Sequence, residues 1–130
     1  MTHQHPIRVY YEDTDLGGIV YYANYLRFIE RGRSEWVASL GLDQRQMQAE
    51  QGLVFAVRRV EADYLKPAHL WDDLTVTTAA AQITPARIEL DQAVLRGAQT
   101  LFTAKVTLVC LGPGHRPTRL PDTIRRHLTK

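Results

Sequence analysis

The chain is predicted to fold as an α+β domain with one long helix set against a curved antiparallel sheet. Three features predict this. Between Asn24 and Leu40 apolar residues recur at three- and four-residue steps, marking one face of a helix. From Leu53 to Cys110 the pattern is β, in about four segments with short connections. Strands joined by hairpins pair antiparallel, and such a sheet can bury one face against a helix. At 130 residues the chain fits a single domain, residues 1–130, with enough apolar content for a core.

Ile7, Val9 and Tyr11 alternate with Arg8 and Tyr10, which reads as a half-buried strand. A loop of carboxylates and glycines follows. The helix then carries Tyr25, Leu26, Ile29, Trp36, Val37 and Leu40 on its apolar stripe, with Arg31 and Glu35 spaced for a surface pair. Asn24 suits the N-cap and Gly41 the C-cap. Gly32 sits mid-helix, where it costs about 1 kcal/mol relative to alanine; close approach to the sheet is the expected compensation. Asp43 with Gln46 resembles a capping box for a short helix ended by Gly52. Leu53–Val57 and Val60–Leu65 form an apolar β run broken by Lys66-Pro67-Ala68. Leu74, Val76, Thr78 and Ala80 share a strand face. Ile88, Leu90 and Val94 belong to a strand that turns at Gly97-Ala98. Its partner places Phe102, Ala104, Val106, Leu108 and Cys110 on one face. Gly112-Pro113-Gly114 ends it, and a short basic tail with a helical turn or two follows Pro121. One helix cannot cover every edge of such a sheet, so a homodimer that continues the sheet is expected.

Composition excludes several classes. The net charge of +2 is too mild to argue for nucleic acid. No apolar run is long enough to span a bilayer. The polar start, Met1 to His5, lacks the apolar core of a signal peptide. The single cysteine, Cys110, forbids an internal disulfide and fits a reducing cytoplasm. There is no Gly-x-Ser-x-Gly elbow, Walker loop or dinucleotide glycine fingerprint.

Chemistry concentrates between Tyr10 and Trp36. Three carboxylates, Glu12, Asp13 and Asp15, precede the pair Gly17-Gly18 and then the helix. A carboxylate beside a glycine turn and a helix N-terminus can supply a base and backbone N–H donors in one place. On spacing alone, a catalytic Asp15 and an Asp15 that merely caps its turn are equally good readings. A hard cation such as Mg²⁺ would suit three carboxylates, but the helix dipole already favours acids before its start. No histidine stands at ligand spacing, and all five are expected at the surface. Tyr21, Tyr22 and Tyr25 could line a pocket or simply pack helix to sheet. Trp36 is expected in the core and Trp71 at an interface. Arg58 and Arg59 could meet phosphates or form a solvated strand face.

The segment Tyr11-Glu12-Asp13-Thr14-Asp15, with Gly18-Ile19-Val20-Tyr21, Asn24-Tyr25-Leu26, Phe28 and Glu30, resembles the signature of hotdog-fold acyl-CoA thioesterases. It is most similar to the 4-hydroxybenzoyl-CoA thioesterase family and, within it, to the Tol–Pal-associated enzymes. Tyr64-Leu65-Lys66-Pro67-Ala68 and Asp72-Asp73-Leu74 extend the likeness. The resemblance implies a helix wrapped by an antiparallel sheet, a dimer or dimer of dimers, active sites at the dimer interface, and no metal or organic cofactor. It assigns catalysis to Asp15, as base or nucleophile, and the oxyanion donor to the backbone N–H of Tyr22, where many relatives carry histidine. Gly18 and Tyr25 are the matching substrate-side positions. Some relatives use basic residues before the penultimate strand for CoA phosphates; here only Arg87 stands nearby, so Arg58, Arg59 and Arg87 are the candidates. The implied reaction is hydrolysis of an acyl-CoA to acid and CoA. A non-catalytic module that binds acyl-CoA or acyl carrier protein on the same fold is the alternative. A dehydratase is weaker, since no histidine–carboxylate pair stands near Asp15.

Overall fold

The computed structural model describes residues 2–129. In chain order it comprises β1 (His3–Arg8), α1 (Asn24–Ser39), α2 (Gln44–Gln51), β2 (Val54–Tyr64), β3 (Asp73–Ile83), β4 (Ile88–Arg96), β5 (Gln99–Gly112), β6 (Arg116–Thr118) and α3 (Asp122–Leu128). The sheet runs β1-β3-β4-β5-β2, and every pairing is antiparallel. β6 returns along β5, pairing Cys110 with Thr118. β1 and the eleven-residue β2 are therefore the edges. Helix α1 lies over β1, β3 and β4. This is the wrapped-helix hotdog arrangement that the resemblance implied.

The seat of α1 is set by Gly32. A Cβ there would fall 2.4 Å from Val76 Cγ1, so only glycine lets the helix approach β3 this closely. Around it Phe28, Ile29 and Val76 are fully buried. The sole buried polar side chains among the described residues, Thr78 and Gln92, satisfy each other: Gln92 Nε2 donates to Thr78 Oγ1 and to Ile29 O, both at 2.9 Å. That pairing avoids the penalty for an unmatched buried amide.

Several expectations needed correction. The first strand lies at His3–Arg8 rather than Ile7–Tyr11, because Tyr11 starts a 3-10 turn through Asp13 and is 82% exposed. The alternation therefore turns His3 and His5 inward with Ile7, half-buried rather than on the surface. Leu26 lies off the buried stripe and is 41% exposed; Phe28 takes its place. Ala23, not Asn24, occupies the N-cap of α1. Among the described residues Arg31 and Glu35 form no ion pair; on that helix Ser34 instead donates to Glu30. Asp43 does cap α2, but Gln46 donates to Glu50 instead of closing the box. The strand β6 was not foreseen, since Arg-Pro-Thr carries no β pattern. Gly52 ends α2 at φ 66°, and the Lys66-Pro67-Ala68 break follows β2 as expected.

Candidate active site

The loop from Tyr10 to Tyr25 is held by its own backbone and by the side chains of Asp13 and Asn24. The 3-10 turn Tyr11–Asp13 closes when Tyr10 N donates to Asp13 Oδ2 at 2.8 Å. The carbonyl of Asp13 then accepts from Tyr21 N and from Asn24 Nδ2, both at 2.9 Å. Asn24 thus ties the start of α1 to the acidic loop instead of capping the helix. Between those anchors the chain folds back on itself. Asp15 N donates to Ile19 O at 2.9 Å, and Gly18 N to Asp15 O at 3.0 Å. Gly18 adopts φ +79°, and a Cβ there would meet nothing within 4 Å; its role is conformational freedom rather than space. Val20 N donates to Ala68 O, which joins the loop to the segment after β2.

Asp15 is exposed, and its Oδ1 accepts the N–H of Gly17 at 2.8 Å. Asp15 thus caps its turn, and its carboxylate does not line the neighbouring cleft of its own chain. Tyr22 sits at the entry to α1. Among the described residues its N–H has no acceptor, while its carbonyl accepts from Tyr64 Oη at 3.0 Å. Tyr22 precedes the N-cap Ala23, so this unspent N–H lies just ahead of the positive end of a sixteen-residue helix.

Beside Tyr22 lies a cleft of 320 Å³ walled by Ile19, Val20, Tyr22, Tyr25, Tyr64 and Leu65. Its floor is aromatic. Tyr25 stacks on Phe102 with centroids 5.1 Å apart and meets Tyr64 edge-on at 5.6 Å. Tyr25 is 3% exposed, so it belongs to the core as well as the cleft. Its hydroxyl accepts the Ala68 N–H at 3.1 Å, and burial pushes the phenol up from its ordinary value. Tyr64 was not singled out in the sequence, although it lies in the Tyr64-Leu65-Lys66-Pro67 segment. Its place at the end of β2 beside the helix start is what gives it a role.

The arginines do not join this site within the chain. Arg58 is the extra residue of a bulge between Val57 and Arg59 and is exposed. Arg59 pairs with Glu61 at 2.7 Å and Arg87 with Glu89 at 3.0 Å. Arg59 is five residues along β2 from Tyr64, roughly 16 Å at the usual strand rise. A larger hollow of 430 Å³ lies on the outer face of the sheet among Glu61, Asp63, Asp91 and Lys105, away from the loop. Trp71, paired with Tyr10 at 5.8 Å, is 62% exposed. Among the described residues no three His, Cys, Asp or Glu side chains converge, and no helix is long and apolar enough to cross a membrane.

Comparison with known proteins bears on the family to which this fold belongs. The model of the thioesterase-like superfamily matches residues 9–128. The acyl-CoA thioesterase YbgC of Haemophilus influenzae is 39% identical over 121 residues, covering 92% of this chain and 89% of that protein. A 1,4-dihydroxy-2-naphthoyl-CoA hydrolase of Thermosynechococcus vestitus is 31% identical over 118 residues, covering 89% and 81%. The crystal structure of a probable thioesterase from Bartonella henselae superposes with a TM-score of 0.89 at 36% identity, covering 93% of this chain and 100% of that one.

Proposed function

Because the chain belongs to the thioesterase-like superfamily, we propose that it is an acyl-CoA thioester hydrolase that uses Asp15 and the Tyr22 backbone N–H. The observation that carries this reading is the unspent N–H of Tyr22 at the start of α1, beside an apolar cleft. The acyl group enters the cleft and its carbonyl oxygen accepts from Tyr22 N. As the tetrahedral intermediate forms, negative charge grows on that oxygen, and the N–H and the helix end stabilise it. Asp15 either takes a proton from the attacking water or attacks the carbonyl itself to give a mixed anhydride that water then opens. The carbon–sulfur bond breaks and CoA leaves as the thiolate.

The second element of the proposal is a homodimer, alone or paired into a dimer of dimers. β2 ends the sheet with an open edge. The inner-facing Val57, Val60 and Tyr64 are 47%, 38% and 48% exposed because α1 does not reach over them. A long apolar edge is a template for another strand, and a second copy of β2 satisfies it. Such a partner also walls the cleft, which Asp15 does not line in its own chain.

Asp15→Asn tests the chemistry. General-base catalysis contributes typically 10²–10⁴-fold, so turnover of every acyl-CoA hydrolysed is expected to fall at least about a hundredfold while circular dichroism stays unchanged. A variant as active as wild type ends the assignment of Asp15. Isotope from H₂¹⁸O appearing in the Asp15 carboxylate after single turnover identifies the nucleophile route. The commitment of Asp15 to the Gly17 N–H favours one other reading, a non-catalytic module for acyl-CoA or acyl carrier protein. Tight binding without hydrolysis across short, long and aromatic acyl-CoAs would select it.

A further inference from the structure

Arg33 projects from α1 on the side that β2 leaves open. Its Nη1 donates to Gln92 Oε1 at 3.0 Å. Gln92 is held to that role, because its amide nitrogen is spent on Ile29 O and Thr78 Oγ1. Among the described residues no carboxylate lies within ion-pair distance of Arg33. The nearest acid along the helix, Glu30, accepts from Ser34 Oγ instead. Arg33 is half-buried, and burial draws its pKa below the usual arginine range, offset in part by Glu30. A guanidinium carries five N–H donors, and a single neutral acceptor leaves most of them unanswered. A partly desolvated cation in that state favours an incoming anion.

The groove that Arg33 lines measures 150 Å³ and is shared with Glu30 and Ser34 of α1 and with Phe55 and Val57. The last two lie at one end of β2, and Tyr64, which walls the apolar cleft, lies at the other. A two-fold axis that pairs the whole of β2 with its copy passes near the middle residue, Arg59. That operation exchanges the ends of the strand. Phe55 then stands opposite residue 63 of the second copy, next to Tyr64 of that copy. The Arg33 groove of each protomer abuts the cleft of the other.

We infer that Arg33 acts in trans, closing the far end of the partner's acyl cleft and selecting acyl groups that end in a carboxylate. The inference rests on the hydrolase and dimer reading given above. Apart from Lys66, the remaining walls of the cleft are apolar or aromatic, and the arginine is the cation that an acyl tail meets at the far end. A guanidinium fork matches a carboxylate with two parallel hydrogen bonds. An acyl chain ending in a methyl group leaves that fork desolvated and empty. The phosphates of CoA lie a full pantetheine arm beyond the thioester, on the opposite side of it from the acyl tail.

The test compares glutaryl-CoA with valeryl-CoA, which have equal chain length and differ in the terminal carboxylate. Wild type is expected to prefer glutaryl-CoA, and Arg33→Gln to lower the glutaryl-to-valeryl ratio of kcat/KM at least tenfold. An unchanged ratio overturns the inference. So does an equal loss on both substrates, which would assign Arg33 to the CoA phosphates. Should Arg33→Gln not fold, Arg33→Lys keeps the charge and removes the fork; it is expected to lower the same ratio severalfold, and an unchanged ratio is again fatal. Mixing subunits decides the trans geometry. Asp15→Asn chains keep Arg33, and Arg33→Gln chains keep Asp15. With Asp15 serving the cleft of its own chain and Arg33 that of its partner, each mixed dimer holds one complete site and recovers glutaryl-CoA hydrolysis above that of either variant alone. No recovery, or a wild type that is monomeric while active, refutes it. Full activity of Asp15→Asn alone would instead refute the assignment of Asp15, and the substrate ratio of Arg33→Gln would still judge Arg33.

Discussion

Gly32→Ala probes whether α1 is seated as tightly on β3 as the packing indicates. The added Cβ would lie 2.4 Å from Val76 Cγ1, 3.2 Å from Val76 Cβ and 3.4 Å from Thr78 Oγ1. Turning Val76 about χ1 relieves the first contact but not the second, because Cβ stays in place. Val76 and Thr78 are 0% exposed, so neither has free volume to yield. In an exposed helix alanine is favoured over glycine by about 1 kcal/mol. Overpacking costs typically ~1–3 kcal/mol, and a clash borne by backbone-fixed atoms belongs at the upper end. The expected net is destabilisation by about 2 kcal/mol, or roughly 6–10 °C in Tm for a domain of this size. Thermal unfolding followed by circular dichroism measures it. Val76→Ala in the Gly32→Ala background should cost less than in wild type, since it removes the clashing methyl. An unchanged or raised Tm for Gly32→Ala would refute the close-seat argument.

Two further outcomes follow from the cleft and its supports. Tyr25→Phe keeps the ring stack on Phe102 but strands the buried Ala68 N–H; a loss of about 1–3 kcal/mol is expected in urea titration, with a weaker cleft wall. Asp72 accepts from the His69 N–H at 2.8 Å and from Arg96 Nη1 at 2.7 Å. Although burial pushes its carboxyl up, the His69 hydrogen bond and Arg96 hold it below its ordinary 3.8. Folding therefore favours the ionised form. The stabilisation is complete above pH 3.8 and is lost as pH falls through the folded value. Asp72→Asn should be less stable at pH 7, and its stability should fall less steeply than wild type below pH 4.

The helices and hairpins were legible because their signals are local. The 3.6 period of α1, the Gly32 anomaly, the Gly97-Ala98 turn and the alternation of β5 each depend on neighbours in sequence. What failed depends on distant parts of the chain. Leu26 is exposed because β2 stands outside the reach of α1. β6 exists because β5 outlasts β4 and offers it an edge. The proposal of Asp15 and Tyr22 rests on the resemblance, to which the fold adds a Tyr22 N–H with no acceptor among the described residues. Tyr64 escaped notice because only pairing of β2 with β5 carries it to the helix start. Charge in sequence does not reveal that Arg59 and Arg87 have acidic neighbours in the fold.

The sheet order has a kinetic consequence. β2 is the second strand synthesised, yet its partner within the chain is β5, the fifth. On a ribosome adding roughly 5–20 residues per second, β2 emerges seconds before anything can pair with it. Its apolar residues and bare amides are then open on both margins, a window for off-pathway association. Refolding should slow when the β4–β5 turn at Gly97 is lengthened, because that hairpin delivers the missing neighbour. A circular permutant that begins at β5 would present the template first and should aggregate less during synthesis.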